Sequence, residues 1–381
     1  MKIPVSIQKC ESYDPKVVRE ALKRTLEPLG GMSAFVSPGQ RVLLKPNLLM
    51  GKAPEAAVTT HPEIIRAVAQ EILDIGGTVY LGDSQAVGSL ASILKKTGIG
   101  KVMEEQGIET IPFKTPKAFS LPEGGVYRSL DLAAEAMEYD AIINLPKFKT
   151  HGQMILTMAV KNLFGTVVGA AKTGWHLKAG NDVRMADLLL DINRVVVPAL
   201  NVLDGVVAME GNGPSAGDPR SVGLLAASPS ALALDQVVAS LVGVDPAHHP
   251  LIHRALERGI IGAEPHHAQV LGLSREEAVV KNFVLPSSVK KVDFDLPDYL
   301  SGPLKRTLST YPVLDPETCT TCGLCAQICP VKAIDLYEDG GGDVDKDLCI
   351  SCFCCQEMCP DGAIKPVPGN LLRLFKKMGI A

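Results

Sequence analysis

The chain has 381 residues, 46% of them apolar and 21% charged, with a formal net charge of −4. That balance describes a globular protein with a large core and two or three domains, and it does not point to nucleic acid as a bulk partner. Aromatics are few, at 4%, while Gly (35), Val, Leu, Ala and Ile dominate, as expected of an α/β protein with buried parallel strands.

The N-terminal residues 1–7 carry no continuous apolar core followed by a small-residue cleavage site, so no signal peptide is expected. No apolar run reaches the roughly 18 residues of a membrane span. Nine of the ten cysteines lie between 319 and 359, the usage of a reduced compartment in which thiols serve metal. A cytoplasmic location is expected, with neither membrane nor nucleic acid as partner. Cys10 stands alone and reads as a small buried apolar residue.

In chain order, residues 15–29 carry an amphipathic helix pattern, and Arg41–Leu44 is an apolar strand ending in Lys45-Pro46-Asn47. Thr60 reads as the N-cap of a helix running to Gly76-Gly77. Thr78–Leu81 is the next strand, ending in Gly82-Asp83-Ser84; helices are expected near 89–97 and 100–107, and a strand at Glu109–Phe113. Strand Ala141–Leu145 runs into Pro146-Lys147, and 154–164 and 183–197 look helical. Asn201–Met209 is a strand interrupted by Asp204-Gly205; strand Val222–Ala227, helix Ser230–Val242 and a helix around 250–258 follow. This alternation predicts a doubly wound, mostly parallel sheet over residues 1–285. Residues 286–316 read as an extended connector, 317–366 as a small α+β cluster domain, and 367–381 as a basic amphipathic tail that packs on its own domain or, in the competing reading, docks a partner.

The cluster domain carries the sharpest signal. Cys319, Cys322, Cys325 and Cys329 are followed by Pro330, and Cys349, Cys352, Cys355 and Cys359 by Pro360. Both runs have the C-x2-C-x2-C-x3-C-P spacing that holds [4Fe–4S] clusters, and in two-cluster ferredoxins each fourth cysteine ligates the other cluster. One cluster is therefore assigned to Cys319, Cys322, Cys325 and Cys359, the second to Cys349, Cys352, Cys355 and Cys329. A zinc site suits C-x2-C pairs, but a third cysteine two residues on, repeated and followed by Pro, fits zinc poorly. Cys354 breaks the spacing and is read as a non-ligand.

In the large domain, residues 141–181 hold Lys147, Lys149, Lys161, Lys172, Lys178, His151 and His176 among apolar neighbours. Unpaired lysines in such surroundings suggest a bound anion; the competing reading is a solvated basic face. An extended 147–151 would put Lys147, Lys149 and His151 on one face. Lys45, Asp83, Lys147 and Asp204 fall at predicted strand ends, where open parallel sheets hold their ligands. The glycine loop 211–217 contains Pro214 and precedes a strand, so it fails the dinucleotide fingerprint, although it could cover a ligand. The histidines at 248–267 lack the spacing that would complete a metal site.

The motifs Lys45-Pro46-Asn47, Thr60-His61-Pro62, Gly82-Asp83-Ser84, Lys147-x-Lys149-Thr-His151, Val160-Lys161-Asn162-Leu-Phe-Gly165 and Asp204-Gly205…Glu210-Gly-x-Gly-Pro214 resemble those of domain-of-unknown-function family 362. That prokaryotic family is often fused to a two-cluster ferredoxin-type domain. The resemblance covers nearly the whole chain and implies iron–sulfur proteins with redox roles. The ferredoxin likeness also implies oxygen-labile clusters and an anaerobic host. It supplies no substrate.

Two functions compete. In the first, the clusters deliver single electrons to an anionic substrate or organic cofactor bound by Lys45, Asn47, Lys147, Lys149, Lys161, Asn162 and Lys172. His151 or His176 would supply a proton, with Asp83 and Asp204 as candidate bases. In the second, the protein is a non-enzymatic electron carrier whose basic stretch docks an acidic partner. The partners expected are an electron donor or acceptor protein, an anionic small molecule and a second copy of the chain. Buried, convergent lysines would favour the first reading; a convex basic surface would favour the second.

Overall fold

The computed structural model describes residues 2–85, 88–286, 307, 310–371 and 373. The strands of the large domain are β1 (Ile3–Lys9), β2 (Arg41–Pro46), β3 (Thr78–Asp83), β4 (Glu109–Pro112), β5 (Pro116–Ser120), β6 (Ser129–Ala133), β7 (Ala141–Leu145), β8 (Lys147–His151), β9 (Ile155–Thr157), β10 (Leu200–Glu210), β11 (Asp218–Ser228) and β12 (Ala268–Gly272). Ten of them form one sheet in the order β12-β1-β11-β10-β7-β2-β3-β4, with β8 paired to β10 and β9 to β8, while β5 and β6 form a separate hairpin. Only β11 against β1 and β10, and β9 against β8, run antiparallel in that sheet. The fold is α/β, as expected.

Side chains on a strand alternate between faces, and the core sorts accordingly. Leu43, Ile142, Leu203 and Ala226 pack on one face of the sheet. Their neighbours Val42, Leu44, Ile143, Val202, Leu225 and Ala227 pack on the other. Helices α1 (Pro15–Leu26), α2 (Pro62–Asp74), α3 (Leu90–Lys96) and α4 (Ile99–Gln106) bury their apolar faces on the second side. Helices α5 (Ala159–Asn162), α6 (Ala171–Ala179), α7 (Asp182–Val195), α8 (Ala231–Leu241) and α9 (Pro250–Glu257) contribute to the first. The sheet is therefore covered on both faces, and Cys10 is buried within the second.

Three local expectations change. The stretch expected as a helix over 154–164 is strand β9, then α5 and a 3-10 turn at Leu163–Thr166. Its apolar residues are buried on all sides, which periodicity cannot distinguish from a helix. The α5 start is held by Asp235, whose carboxylate accepts from Ala159 N at 2.7 Å and Val160 N at 2.9 Å. The N-cap of α2 is His61, not Thr60: His61 Nδ1 accepts from Glu63 N at 3.2 Å. Thr60 Oγ1 instead donates to Leu145 O at 2.6 Å and so ties the end of β7 to the helix entry. Finally, β10 does not stop at Asp204-Gly205 but continues through a register shift between Gly205 and Val207.

The cluster domain pairs β13 (Thr310–Leu314) antiparallel with β16 (Ile364–Pro368), and β14 (Ile334–Leu336) with β15 (Gly342–Val344), around helices Leu324–Ile328 and Cys354–Met358. Thr310–Leu314, expected in the connector, is thus an outer strand of this domain. Connector residues 287–306, 308 and 309, and tail residues 372 and 374–381, lie outside the described residues. Among the described residues, no helix is long and apolar enough to cross a membrane.

The register shift in β10 is organised by Asp204. Its carboxylate accepts from Tyr13 Oη at 2.7 Å, Lys147 Nζ at 2.8 Å and His61 N at 2.9 Å. Removing one member of a buried ion pair strands the other charge. Asp204→Ala is expected to lower unfolding free energy by about 3–5 kcal/mol, read as the denaturant midpoint of the anaerobic protein. A change within about 0.5 kcal/mol, the usual range for surface substitutions, would contradict this role.

Candidate ligand cavity and cluster sites

The cysteines divide between two cavities. Cys319, Cys322, Cys325 and Cys359 line one of about 320 Å³, and Cys329, Cys349, Cys352 and Cys355 line another of about 310 Å³. Cys354 lines the second cavity as well. The backbone repeats as well. Left-handed residues recur at Thr321 and Ser351, Gly323 and Phe353, and Lys332 and Gly362. Phe353 holds a conformation that favours glycine, at a site that curls the loop around the cavity. Backbone N–H groups of Ala333, Ser351 and Ala363 donate to Cys329, Cys349 and Cys359 Sγ at 3.3, 3.4 and 3.2 Å. Hydrogen bonds to sulfur are among the protein's levers on cluster potential. Among the described residues, no three His, Cys, Asp or Glu side chains close to the spacing of a single metal ion. Thiols arranged around a larger void fit a cluster.

A cavity of about 750 Å³, counting its mouth open to solvent, is lined by both domains. The large domain contributes Lys45, Asn47, Asp83, Lys149, His151, Lys161, Asn162, Lys172 and His176, and the cluster domain contributes Ile328, Cys354, Glu357 and Met358. Nine of the sequence-expected site residues are thus brought together. Lys147 and Asp204 are not among them, because they close on each other and on Tyr13 behind the cavity wall.

The cavity is electrostatically asymmetric. Lys45 Nζ lies 3.2 Å from Asp83 Oδ1, both buried. Burial pushes Lys45 down and Asp83 up, while their attraction opposes both. Gly165 makes the pair possible, since a Cβ there would stand 2.3 Å from Asp83 Oδ1 and 2.5 Å from Lys45 Nζ. Lys172 donates to Ser84 O at 2.9 Å; burial, with help from Lys45 and against Asp83, pushes its pKa down to about 8. Asn162 and Asn47 bridge strand and helix: Asn162 Nδ2 donates to Lys45 O at 3.1 Å and Asn47 Nδ2 to Asn162 Oδ1 at 3.0 Å.

At the other end, Glu357 of the cluster domain enters the basic pocket. Its Oε1 lies 2.6 Å from His151 Nε2, close but off the line of a hydrogen bond, and 3.9 Å from Lys161 Nζ. Burial alone would raise the Glu357 pKa, but Lys161 and His151 outweigh it and hold the carboxyl well below the usual range. His151 Nδ1 accepts from Gln153 N and Met154 N, both at 3.1 Å, which places the ring proton on Nε2. Burial, reinforced by Lys161, lowers its pKa to about 4. His176 stacks edge-on to Phe164, its Nδ1 has no partner among the described residues, and burial lowers its pKa to about 4.

The glycine loop 211–217 docks the cluster domain. Ser215 Oγ donates to Gln356 O at 3.3 Å, and Gln356 Nε2 donates to Asn212 Oδ1. A Cβ at Gly152 would stand 2.8 Å from Gln356 Oε1, and one at Gly362 would stand 2.8 Å from Ala216 Cβ, so each glycine backbone lies against a side chain of the other domain. Of the loop, Pro214 also lines the cavity. His248, His253 and His266 are exposed and each pairs with a neighbouring carboxylate.

Sequence reasoning missed Glu357, Tyr13 and Gln356. Glu357 carried one available signal: it lies two residues after Cys355 on a short helix whose other residues are buried.

Fold and site together define an α/β protein with a [4Fe–4S]-binding domain docked over a lysine-lined cavity. The chain belongs to the family described as domain of unknown function DUF362, which matches residues 42–240, and residues 312–335 match the 4Fe-4S binding domain. It is 42% identical over 305 residues to a thylakoid-associated protein of Synechocystis sp., covering 79% of this chain and 94% of that one. Among solved structures, it is similar to the lactate racemase apoprotein of Thermoanaerobacterium thermosaccharolyticum, with a TM-score of 0.38, 13% identity and coverage of 61% of this chain and 55% of that one. A Thermotoga maritima protein aligns with a TM-score of 0.35 and 13% identity over 53% of this chain and 52% of that one. The chain spans about half the length of each of these two.

The buried histidines carry a pH signature. His151, His176 and His249 have pKa values near 4 in the fold against an ordinary 6.5. Below pH 6.5 the unfolded chain binds protons that the fold refuses, so their contribution is complete above 6.5 and is lost as pH falls towards 4. The loss is expected on the order of 3 kcal/mol per ring, read from denaturant midpoints across that window. His249→Asn, remote from the cavity, retains an acceptor for the α9 cap and should flatten the slope by about one proton. An unchanged slope would rule out burial as the cause.

Proposed function

We propose that this chain is an iron–sulfur oxidoreductase in which two [4Fe–4S] clusters supply single electrons to an anionic small substrate or organic cofactor in the interdomain cavity. One observation carries the reading: Cys354 lines both the ligand cavity and the second cysteine cavity. In this reading a single buried thiol separates the electron source from its acceptor. Cys322 is exposed in the first set, which suits it to face the outside donor, with the second set facing the cavity.

The residues divide the remaining work. Lys161 and Lys172 offer positive charge to an anion, and Asn47 and Asn162 hold the strand ends that present it. His151 offers an Nε2–H, and His176 has a free ring nitrogen within the cavity wall, so it is the better candidate for moving a proton. Lys147 and Asp204, expected from sequence to bind ligand and act as a base, are assigned instead to holding the wall. Ile328, Met358, Leu48 and Leu49 supply an apolar side against which a conjugated acceptor could lie.

Burial of the lysines supports the enzyme over a docking module, since Lys45, Lys147 and Lys149 are each 1% exposed and cannot meet a protein surface. The cysteine usage supports a reduced, cytoplasmic setting.

The test has two parts. Anaerobic holoprotein is expected to carry about eight iron and eight sulfide per chain, as two cubanes require. Cys354→Ala should retain all of them, and Cys355→Ala should lose about half. Lys161→Met and Lys172→Met should each slow reoxidation of reduced protein by anionic acceptors roughly 100-fold or more, followed by stopped-flow at the cluster absorbance. Reoxidation by a neutral dye should not change. If the variants altered only the salt dependence of electron exchange with a protein partner, the enzyme reading would fail.

A further inference from the structure

Three lysines are among the largest wholly buried side chains of the described residues: Lys45, Lys147 and Lys149. Two of them have carboxylate partners, Asp83 and Asp204. Lys149 has none within ion-pair distance among the described residues. Its Nζ instead donates to two neutral acceptors, Val58 O at 2.7 Å and Asn47 Oδ1 at 3.1 Å. Burying an ammonium without a counter-charge is far more costly than burying an amine, so such a group neutralises instead.

A neutral amine has two N–H bonds and one lone pair. Two acceptors use both hydrogens, and Lys149 lines the cavity, so the lone pair is the group left for a ligand. From this geometry we infer that Lys149 is an uncharged nucleophile that captures the carbonyl carbon of a small oxo acid as an imine. Burial, aided by the charges of Lys161 and Lys147 and opposed by Glu357, lowers its pKa well below that of an ordinary lysine, in the manner of desolvated Schiff-base lysines. His151, also facing this end of the cavity, stays neutral and adds no counter-charge.

The step balances without a redox partner. The nitrogen lone pair attacks the carbonyl carbon, the two amine hydrogens leave with the carbonyl oxygen as water, and C=N replaces C=O. The Lys161 ammonium supplies the carboxylate subsite that makes an oxo acid, and not a neutral carbonyl compound, the preferred ligand. This inference rests on the anion-binding cavity proposed above, but not on electron delivery to it.

The experiment treats anaerobic, oxidised holoprotein with glyoxylate and sodium cyanoborohydride, then locates carboxymethyl-lysine by peptide mass mapping. Lys149 is expected to label at least tenfold faster than Lys101, whose side chain is 80% exposed, and Lys149→Arg should abolish that adduct alone. Labelling at Lys101 with Lys149 untouched would overturn the inference, whatever the folding of any variant. A parallel arm with acetaldehyde separates the two readings. Trapping at Lys149 by both reagents without preference for glyoxylate would support the amine and sink the anionic subsite. Preference for glyoxylate, lost in Lys161→Met, would support both.

Discussion

The contact between Glu357 and the pair His151 and Lys161 governs how this molecule is put together. It is the point at which the cluster domain enters the large domain's basic pocket, with His151 buried and Lys161 and Glu357 partly so. Removing Glu357 would leave Lys161 without its carboxylate partner, in surroundings where unpaired charge is costly. The two domains are therefore interdependent at this site. The cluster domain closes a cavity that the large domain cannot close alone, and the large domain supplies the Lys161 ammonium and the His151 ring that receive Glu357.

The sheet makes that arrangement available. Residues at the carboxyl ends of β2 and β3 bring Lys45 and Asp83 to one edge, and the turn at Pro146 sends β8 onward with its alternate residues pointing to different tasks. Lys147 pairs across to Asp204 on β10, while Lys149 and His151 reach the cavity. The glycine loop between β10 and β11 then grips the cluster domain through Ser215, Asn212 and the close approach at Gly362. Its glycines serve contact with another backbone and not a phosphate.

Much of this is legible in the sequence, for physical reasons. Thiolate spacing is a direct statement of ligand geometry, so 4Fe-4S binding is legible from the cysteine runs themselves. The lysine-rich stretch stands out because its charges sit among apolar residues, and Lys147 and Lys149 are indeed buried, while Lys178 is exposed. Strand ends are legible from Pro46 and Pro146, which cannot donate to a ladder. What stays hidden depends on long-range partners. Nothing near Lys147 in the sequence announces Asp204 and Tyr13, so it cannot be told apart from Lys149. Nor can local pattern separate the β8–β9 hairpin from a helix, because Asp235, far along the chain, decides where α5 begins. Glu357 goes unseen because its role exists only between domains.

The central claim is that the second cysteine set sits against the ligand cavity with the Cys354 thiol between them. Anomalous diffraction at the iron edge from anaerobically grown crystals tests it most directly, because it places iron without reference to ligands or activity. The account predicts two compact iron sites per chain. One lies within Cys319, Cys322, Cys325 and Cys359. The other lies within Cys329, Cys349, Cys352 and Cys355, nearer to Lys161, with Cys354 Sγ unligated on the line between. Iron bonded to Cys354, or a first site closer to the cavity than the second, would contradict it.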